Sequence, residues 1–347
     1  MKSNQNRRLF IKSSAIAVAG IGLGVQGFAE NVYPKSIGNL DEGTRVGIIG
    51  LDTSHSIAFT KALNSPTAGP EFGGFKVVAA YPFGSKEIKS SFDRIAPYTL
   101  DMKNLGVEIT DSIADLLKKV DFILLETNDG RMHLEQALEV IKSGKRFFID
   151  KPIAASLKDA AAIFTAAKKA NVSVFSSSSL RYTSGAQSLA AGKLGKILGA
   201  DTYSPCVLES THPDLFWYGI HGVESLFTLM GTGCKEVVRV STADTEIVTG
   251  TWMDGRIGTF RGTRSGKSGY GGTVFAEKGI AQIGDYEGYN PLLAQITDFF
   301  KTGIVPVSAS ETLEICAFME AADESKKRGG APVSIDYMFE RASLTRP

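Results

Sequence analysis

One short stretch near the amino terminus of this 347-residue chain constrains its fold more than any other. Residues 45–56 read Arg-Val-Gly-Ile-Ile-Gly-Leu-Asp-Thr-Ser-His-Ser, an apolar run followed by small and polar residues. This order predicts a β-strand, a tight turn and the start of a helix, as in the first unit of a parallel α/β domain. Gly50 takes the first position of the pattern G-x-G-x-x-G, which is typical of dinucleotide-binding folds, but Asp52 and His55 stand at the second and third. The stretch therefore predicts a fold and puts that fold's usual ligand in question.

The residue at the second position decides how a dinucleotide could bind. An ionised Asp52 within ~4 Å of a phosphate charge would cost about 4 kcal/mol at an effective dielectric constant of ~20. If a dinucleotide binds, Asp52 must therefore turn away. The hydroxyls of Thr53 and Ser54, the amides at the helix start and a protonated His55 would then hold the phosphates. The alternative is a strand, turn and helix that bind no nucleotide.

Composition and the amino-terminal segment limit the class of protein. Hydrophobic residues make up 43% of the chain, charged residues make up 22%, and the net charge is +1. No basic excess points to nucleic acid. Residues 1–29 contain the pair Arg7-Arg8, an apolar run at 15–25 and small residues near Ala29. These features predict a twin-arginine export signal, and so a periplasmic protein without a membrane anchor. A cytoplasmic amino-terminal arm is the alternative.

The rest of the chain divides by pattern into two parts. Residues 44–180 alternate apolar strands with amphipathic helices, which predicts a Rossmann domain with a doubly wound parallel sheet. Residues 181–330 contain short strands joined by turns and end in two helices. Asp254-Gly255 is a two-residue hairpin signal between two of these strands. We therefore expect an α/β protein whose second domain, for substrate binding and oligomerisation, has an open and mostly antiparallel sheet.

The end of the second predicted strand lacks the carboxylate that usually holds the adenosine ribose. The strand is followed by Tyr81-Pro82-Phe83-Gly84-Ser85-Lys86. Ser85 is a candidate cofactor ligand here, and with Lys86 it could meet a 2′-phosphate. A turn rich in Pro and Gly accounts for the same residues. The sequence therefore leaves NAD and NADP undistinguished.

Three motifs, in order along the chain, carry a family resemblance. The first is Glu126-Thr127-Asn128-Asp129-Gly130-Arg131-Met132-His133, and the second is Lys145 followed by Asp150-Lys151-Pro152 at the end of the next strand. The third is the run from Gly219 to Gly231, which begins Gly-Ile-His-Gly-Val-Glu. Together they resemble the glucose–fructose oxidoreductase, inositol dehydrogenase and MocA (Gfo/Idh/MocA) family, with Asp150 in place of the usual Glu. The resemblance covers residues 44–327.

The resemblance implies roles for individual residues. Lys151 would lie beside the nicotinamide and the reacting hydroxyl, and His221 would be the general acid or base, a task that suits the pKa of imidazole. Thr127, Asn128 and Asp150 would be cofactor-binding residues. The resemblance also implies a homodimer or homotetramer that pairs through the second sheet.

One departure from the family pattern lies just before His221. Many members carry Asp four residues earlier, where this chain has Trp217. Trp217 and Tyr218 offer flat apolar faces that could stack on a sugar ring. Glu209 and His212 are the nearest candidates for the missing polar group. No metal site is expected, because the histidine spacing fits no recognisable ligand set and no carboxylates cluster in the sequence.

These observations predict an NAD(P)-dependent oxidoreductase that acts on a hydroxyl of a sugar, glycoside or polyol, with a tightly held cofactor. Two alternatives remain open. One is a redox-neutral, NAD-dependent glycosidase or lyase that oxidises its sugar only transiently. The other is a cofactor-free carbohydrate-binding protein on a degenerate Rossmann scaffold.

Overall fold

The structure is a computed structural model that describes residues 44–347. The export signal predicted at residues 1–29 lies outside them. Within residues 44–347, no helix has both the length and the apolar character that crossing a bilayer requires.

The first sheet has six parallel strands in the order β3-β2-β1-β4-β5-β6. The strands are β1 (Arg45–Ile49), β2 (Lys76–Tyr81), β3 (Glu108–Ile109), β4 (Phe122–Leu125), β5 (Phe147–Ile149) and β6 (Val174–Ser176). The strand order reverses between β1 and β4. In open α/β sheets, ligands bind in the crevice at the carboxyl ends of the strands at such a reversal. The predicted Rossmann-type parallel sheet is confirmed.

Five helices connect these strands: α1 (Ser54–Asn64), α2 (Lys89–Asn104), α3 (Ile113–Leu117), α4 (His133–Lys142) and α5 (Leu157–Ala170). The sequence pattern did not predict α2, because most of this helix is exposed and only Ser91 and Met102 are buried. Without an apolar stripe, and with Pro97 in its interior, the segment lacks the usual signal of an amphipathic helix.

The second sheet has seven strands in the order β12-β11-β7-β10-β9-β8-β13. They are β7 (Ile197–Pro205), β8 (Cys234–Ser241), β9 (Thr245–Trp252), β10 (Ile257–Thr263), β11 (Gly271–Ala276), β12 (Gly279–Gln282) and β13 (Val333–Ser334). Only β7 and β10 pair in parallel, so the predicted mostly antiparallel sheet is confirmed. The hairpin predicted at Asp254-Gly255 joins β9 to β10, with Gly255 at a φ of 85°. The sheet also takes in β13, beyond the boundary predicted at residue 330.

The remaining helices are α6 (Ser184–Ala190), α7 (Ile220–Met230), α8 (Asn290–Thr302), α9 (Ala309–Lys327) and α10 (Ile335–Arg341). Helices α7 and α9 pack on one face of the second sheet. Helix α8 returns to the first sheet instead, where Phe299 packs on Phe175 and Phe300 stacks on Phe122. Burial of these rings covers the face of the first sheet on which α1 also lies.

Candidate active site

A cleft of about 910 Å³, part of it open to solvent, lies at the carboxyl ends of the first sheet. Its walls come from α1, α2, the segments after β4, β5, β6 and β7, the turn that leads into α7 and the start of that helix, and the loops before β11 and α8. The lining residues are Thr53, Ser54, His55, Ser90, Arg94, Asn128, Lys151, Leu180, Val207, Trp217, Tyr218, His221, Tyr270, Tyr286 and Tyr289. The structure therefore brings Lys151 and His221, the two predicted catalytic residues, to one cleft.

Asp52 turns away from the start of α1. Its carboxylate accepts hydrogen bonds from the backbone N–H groups of Ser85, at 3.2 Å, and Asn128, at 3.0 Å. Gly84 lets the loop after β2 close over this side chain, since a Cβ at Gly84 would lie 2.7 Å from the Cβ of Asp52. Burial raises the pKa of Asp52 to about 6. Asp52 thus joins two loops below the cleft and leaves the first turn of α1 open to an anion.

We expect the buried Asp52 carboxyl to make folding stability depend on pH. Its pKa is about 6 in the folded chain against an ordinary value of 3.8. Stability from this group is therefore fully present below pH 3.8 and is lost as the pH rises through 6. The loss approaches about 3 kcal/mol, of which about 2 kcal/mol falls between about pH 4.5 and about pH 7.5. Urea unfolding of the wild type and of Asp52→Asn at both pH values measures it.

The Asp52→Asn variant isolates this effect from other titrating groups. Asparagine keeps one acceptor but turns its amide donor toward a backbone N–H, which costs about 1–3 kcal/mol at both pH values. The free energy of unfolding of the variant, measured relative to the wild type at the same pH, should rise by about 2 kcal/mol from the lower to the higher pH. A constant difference in unfolding free energy would show that Asp52 does not titrate in this range.

The end of the cleft beside α1 fits a dinucleotide phosphate. Thr53 caps α1 by accepting a hydrogen bond from the N–H of His55, and Ser54 is exposed at the first helical position. Gly50 has a φ of 98°, and a Cβ there would lie 2.4 Å from the backbone nitrogen of Thr127, so only glycine fits this close approach. Arg94 lines the same end and donates to the carbonyl of Asp52. Helix amides, hydroxyls and one cation can therefore replace the missing glycines.

Acidic and basic side chains crowd the floor of the cleft. Nδ1 of His55 lies 3.1 Å from Oδ2 of Asp150 and 3.7 Å from Oε2 of Glu126. Nζ of Lys151 lies 3.8 Å from the same Asp150 oxygen. All four side chains are buried, and Glu126 is fully so. Burial, and then the charge of Asp150, raise the pKa of Glu126 well above its usual range.

His221 is held by a residue of the first sheet's edge. Its Nδ1 lies 2.8 Å from Oγ of Ser178, just after β6. Glu224, one turn further along α7, accepts from the N–H of Ser178 and from Nε of Arg181, both at 2.8 Å. Burial lowers the pKa of His221 well below its usual value, and the positive charges of Lys151 and His55 lower it further. His221 is therefore a neutral imidazole at neutral pH, suited to accept a proton.

The wall opposite α1 is aromatic. The Tyr218 and Tyr270 hydroxyls are 2.9 Å apart, and both rings contact His221. Tyr286 bridges Tyr270 to Tyr289, and Tyr289 packs against His55 with ring centroids 4.5 Å apart. Such rings offer apolar faces and polar rims to a ligand.

Six predicted residues do not line the cleft, namely Gly50, Ser85, Thr127, Asp150, Glu209 and His212. Ser85 is buried and Thr127 is fully buried beside Gly50. Glu209 accepts hydrogen bonds from Ser210 and Thr211 within its own loop. The His212 side chain is buried, with Nε2 3.3 Å from Oδ1 of Asp129. The side chain that contacts the His221 ring nitrogen is that of Ser178, at 2.8 Å.

Several cleft residues were not predicted from the sequence. Arg94 lies on the unpredicted helix α2, and the three tyrosines beyond residue 260 lie in loops with no motif. Ser178 comes just after the predicted strand β6. A position at the carboxyl end of a parallel strand could have indicated that it lies near the site.

Comparisons with known proteins agree with this geometry. Residues 44–178 match the sequence profile of a family described as an oxidoreductase family with an NAD-binding Rossmann fold. A solved structure of scyllo-inositol dehydrogenase from Lactobacillus casei, with bound NAD(H) and scyllo-inositol, is 16% identical and has a TM-score of 0.66. The match covers 85% of this chain and 99% of that one.

A second structural neighbour is an oxidoreductase from Agrobacterium radiobacter in complex with NAD+, L-tartaric acid and magnesium. It is 15% identical, with a TM-score of 0.66 over 85% of this chain and 99% of that one. At these identities the neighbours establish the fold alone. No curated protein sequence matches the chain.

Proposed function

We propose that this chain, whose residues 44–178 match the sequence profile of the Gfo/Idh/MocA oxidoreductase family, is an NAD(P)-dependent oxidoreductase acting on a hydroxyl of a sugar, glycoside or polyol. The observation that carries the proposal is the position of Lys151 and His221 on one cleft beside the start of α1. The aromatic wall supports a substrate with a ring or an apolar face to stack on tyrosine.

Hydride acceptance is the chemistry that NAD(P) supplies when bound. The chain's own residues handle the proton. His221 engages Ser178 through Nδ1, so Nε2 is the nitrogen that takes the proton of the substrate hydroxyl. The Lys151 ammonium, in the same cleft, stabilises negative charge on that oxygen as the proton leaves. Thr53, Ser54, Arg94 and Asn128 would hold the dinucleotide.

We further propose that the protein is exported and keeps its cofactor tightly bound. The Arg7-Arg8 signal supports export by the twin-arginine route, which moves folded proteins and could carry a bound cofactor. No free nicotinamide pool is expected outside the cytoplasm, so a retained cofactor would have to be recycled within each turnover.

A homo-oligomer formed through the second sheet is also part of the proposal. Helices cover one face of this sheet, and its strands expose several large apolar side chains. These are Leu198, Tyr203, Val240, Ile257, Phe275 and Ile280. An apolar surface of this kind supports a protein interface.

Dinucleotide binding tests the proposed function directly. We expect mass spectrometry of gently purified full-length protein to detect NAD or NADP, or calorimetric titration to show one site per chain. Arg94→Met should weaken binding by about 10-fold, because it removes the cation at the phosphate end of the cleft. Lys103→Met, on the exposed part of the same helix, is the matched control and should bind as the wild type does.

The possible outcomes separate the proposal from its alternatives. A protein that neither contains nor binds a dinucleotide would be a carbohydrate-binding protein rather than an oxidoreductase. Cleavage of candidate glycosides over many turnovers without added cofactor would show a redox-neutral glycosidase or lyase. Reduction of added NAD(P) by a sugar, glycoside or polyol would support the simple dehydrogenase.

A further inference from the structure

Three potential metal ligands from separate parts of the first sheet meet on the floor of the cleft. His55 lies in the first turn of α1, Glu126 directly follows β4, and Asp150 directly follows β5. Since β4 and β5 are neighbours, with Leu125 paired to Ile149, the two acids come side by side. Within residues 44–347, this is the one group of three such side chains whose ligand atoms all lie within 4.8 Å of one another.

The group is incompletely satisfied by the protein. Both carboxylate oxygens of Glu126 are buried without a hydrogen-bond partner, and so is Oδ2 of Asp150. The other Asp150 oxygen accepts from the backbone N–H of Lys151 at 2.7 Å, which fixes that carboxylate. The Lys151 ammonium reaches Asp150 at 3.8 Å, and no Lys or Arg side chain of the described residues pairs with Glu126. A fully buried carboxylate whose nearest base is an imidazole nitrogen at 3.7 Å costs several kcal/mol unless a cation or a proton compensates it.

The spacing of the ligand atoms suits a transition-metal ion. Zinc bonds of about 2.0–2.2 Å in a tetrahedron place neighbouring ligand atoms about 3.3–3.6 Å apart. Nδ1 of His55 lies 3.1 Å and 3.7 Å from the nearer oxygens of Asp150 and Glu126. One imidazole and two carboxylates, with a further position open, form a donor set of the kind found in catalytic zinc sites.

We propose that His55, Glu126 and Asp150 bind one divalent transition-metal ion, Zn²⁺ or Mn²⁺. An imidazole ligand favours such ions over Mg²⁺ and Ca²⁺, which take oxygen ligands. His55 lines the cleft, so an ion bound to it would lie at the floor of the same cleft as Lys151 and His221. A metal ion there can orient and polarise the oxygen of a substrate hydroxyl. The proposal gives His55 and Asp150 a role other than the cofactor binding expected from the sequence, since the two side chains face each other at 3.1 Å.

Metal content and affinity test this site without an activity assay. Full-length protein made without a histidine tag is stripped with a chelator and titrated with Zn²⁺ and with Mn²⁺ in a calorimeter. We expect one ion per chain for the wild type, and affinity at least about 10-fold weaker in His55→Gln and in Glu126→Gln. His212→Gln is the matched control, since His212 pairs with Asp129 elsewhere, and it should bind as the wild type does.

A second measurement guards against variants that fail to fold. The metal should raise the thermal unfolding temperature of the wild type and of His212→Gln, and leave that of Glu126→Gln unchanged. Co²⁺ bound in place of zinc should give visible absorption bands that both ligand variants lose. No binding by folded wild type, or equal binding by all variants, would overturn the proposal. In that case a proton compensates Glu126.

Discussion

Replacing Lys151 with Met, or His221 with Gln, should lower kcat by about 10²–10⁴-fold, because each change removes one group of the proton-handling pair. Both side chains are buried at the cleft and neither belongs to a large hydrophobic cluster, so the fold should survive. Steady-state kinetics on the identified substrate, with circular dichroism of each variant, measures this. Lys158→Met, on exposed α5 surface, is the matched control and should keep wild-type turnover.

The pH profile separates a catalytic role from a structural one. The pKa of His221 lies well below its usual value because of burial and the charge of Lys151. The neutral, proton-accepting form therefore persists to lower pH, and kcat/KM should fall only below about pH 6.5. Lys151→Met removes the nearby positive charge, which raises the pKa of His221. The residual activity of this variant should therefore begin to fall at a higher pH than that of the wild type. Wild-type rates in both catalytic variants would end this assignment.

Ser178 should behave as a positioning residue. It holds Nδ1 of His221 at 2.8 Å and does not line the cleft itself. We expect Ser178→Ala to lower kcat by about 10-fold, the effect of about 1.4 kcal/mol on the barrier. The acidic limb of its pH profile should also move, because the contact is made to the titrating ring. A loss of stability without either kinetic change would leave Ser178 with a structural role only.

Replacing Arg239 with Met should lower the free energy of unfolding by about 3 kcal/mol, since it breaks a buried ion pair with Asp323 and leaves Glu246 with Arg264 as its remaining cation. The Arg239 side chain is fully buried on β8 and pairs with Asp214, Asp323 and Glu246. Glu246 is itself fully buried. Methionine keeps most of the side-chain volume, so the loss reports the missing charge rather than a cavity. Chemical denaturation of the folded variant measures the difference.

The matched control for this prediction is Arg328→Met. Arg328 pairs with Glu324 one turn away on α9 at the surface, where solvent screening leaves such a pair little effect on stability. Equal losses of unfolding free energy in the two variants would contradict the role given to burial.

Arg239 also supports a segment that lines the cleft. Asp214 immediately precedes the π-helical turn Leu215–Gly219, which carries Trp217 and Tyr218 into the cleft, so the variant should also weaken substrate binding.

The fold was largely predictable because its signals are local. Apolar strands between amphipathic helices indicated the parallel sheet, and Asp254-Gly255 indicated a hairpin. Helix α2 was missed because it buries almost nothing. The return of α8 to the first sheet could not be read from α8 alone, because an apolar helix face does not say which surface it covers.

The sequence predicted those cleft residues that lie within a short, recognisable sequence motif. Lys151 precedes Pro152 at a strand end, and His221 starts a helix with a recognisable pattern. The group of His55, Glu126 and Asp150 has no spacing signal, because three distant strand or helix ends supply one ligand each. The proposed metal site was therefore not predictable from the sequence pattern.

The sequence predicted that the Asp52 side chain turns away from the phosphate position, and the structure shows which groups it contacts instead. The carboxylate had to turn away from any phosphate, and it does so by accepting two backbone N–H groups. The partners were not predictable, because Ser85 and Asn128 belong to different loops that meet only in the folded chain.

The packing of α8 on the first sheet also sets the order in which the chain can mature. Phe122 and Phe175 belong to the first sheet, but the rings that cover them, Phe300 and Phe299, come more than 120 residues after the last strand of that sheet. During synthesis, Phe122 and Phe175 therefore lack these aromatic partners until α8 leaves the ribosome. An export route that accepts only folded proteins could therefore take this chain only after its last third had been translated.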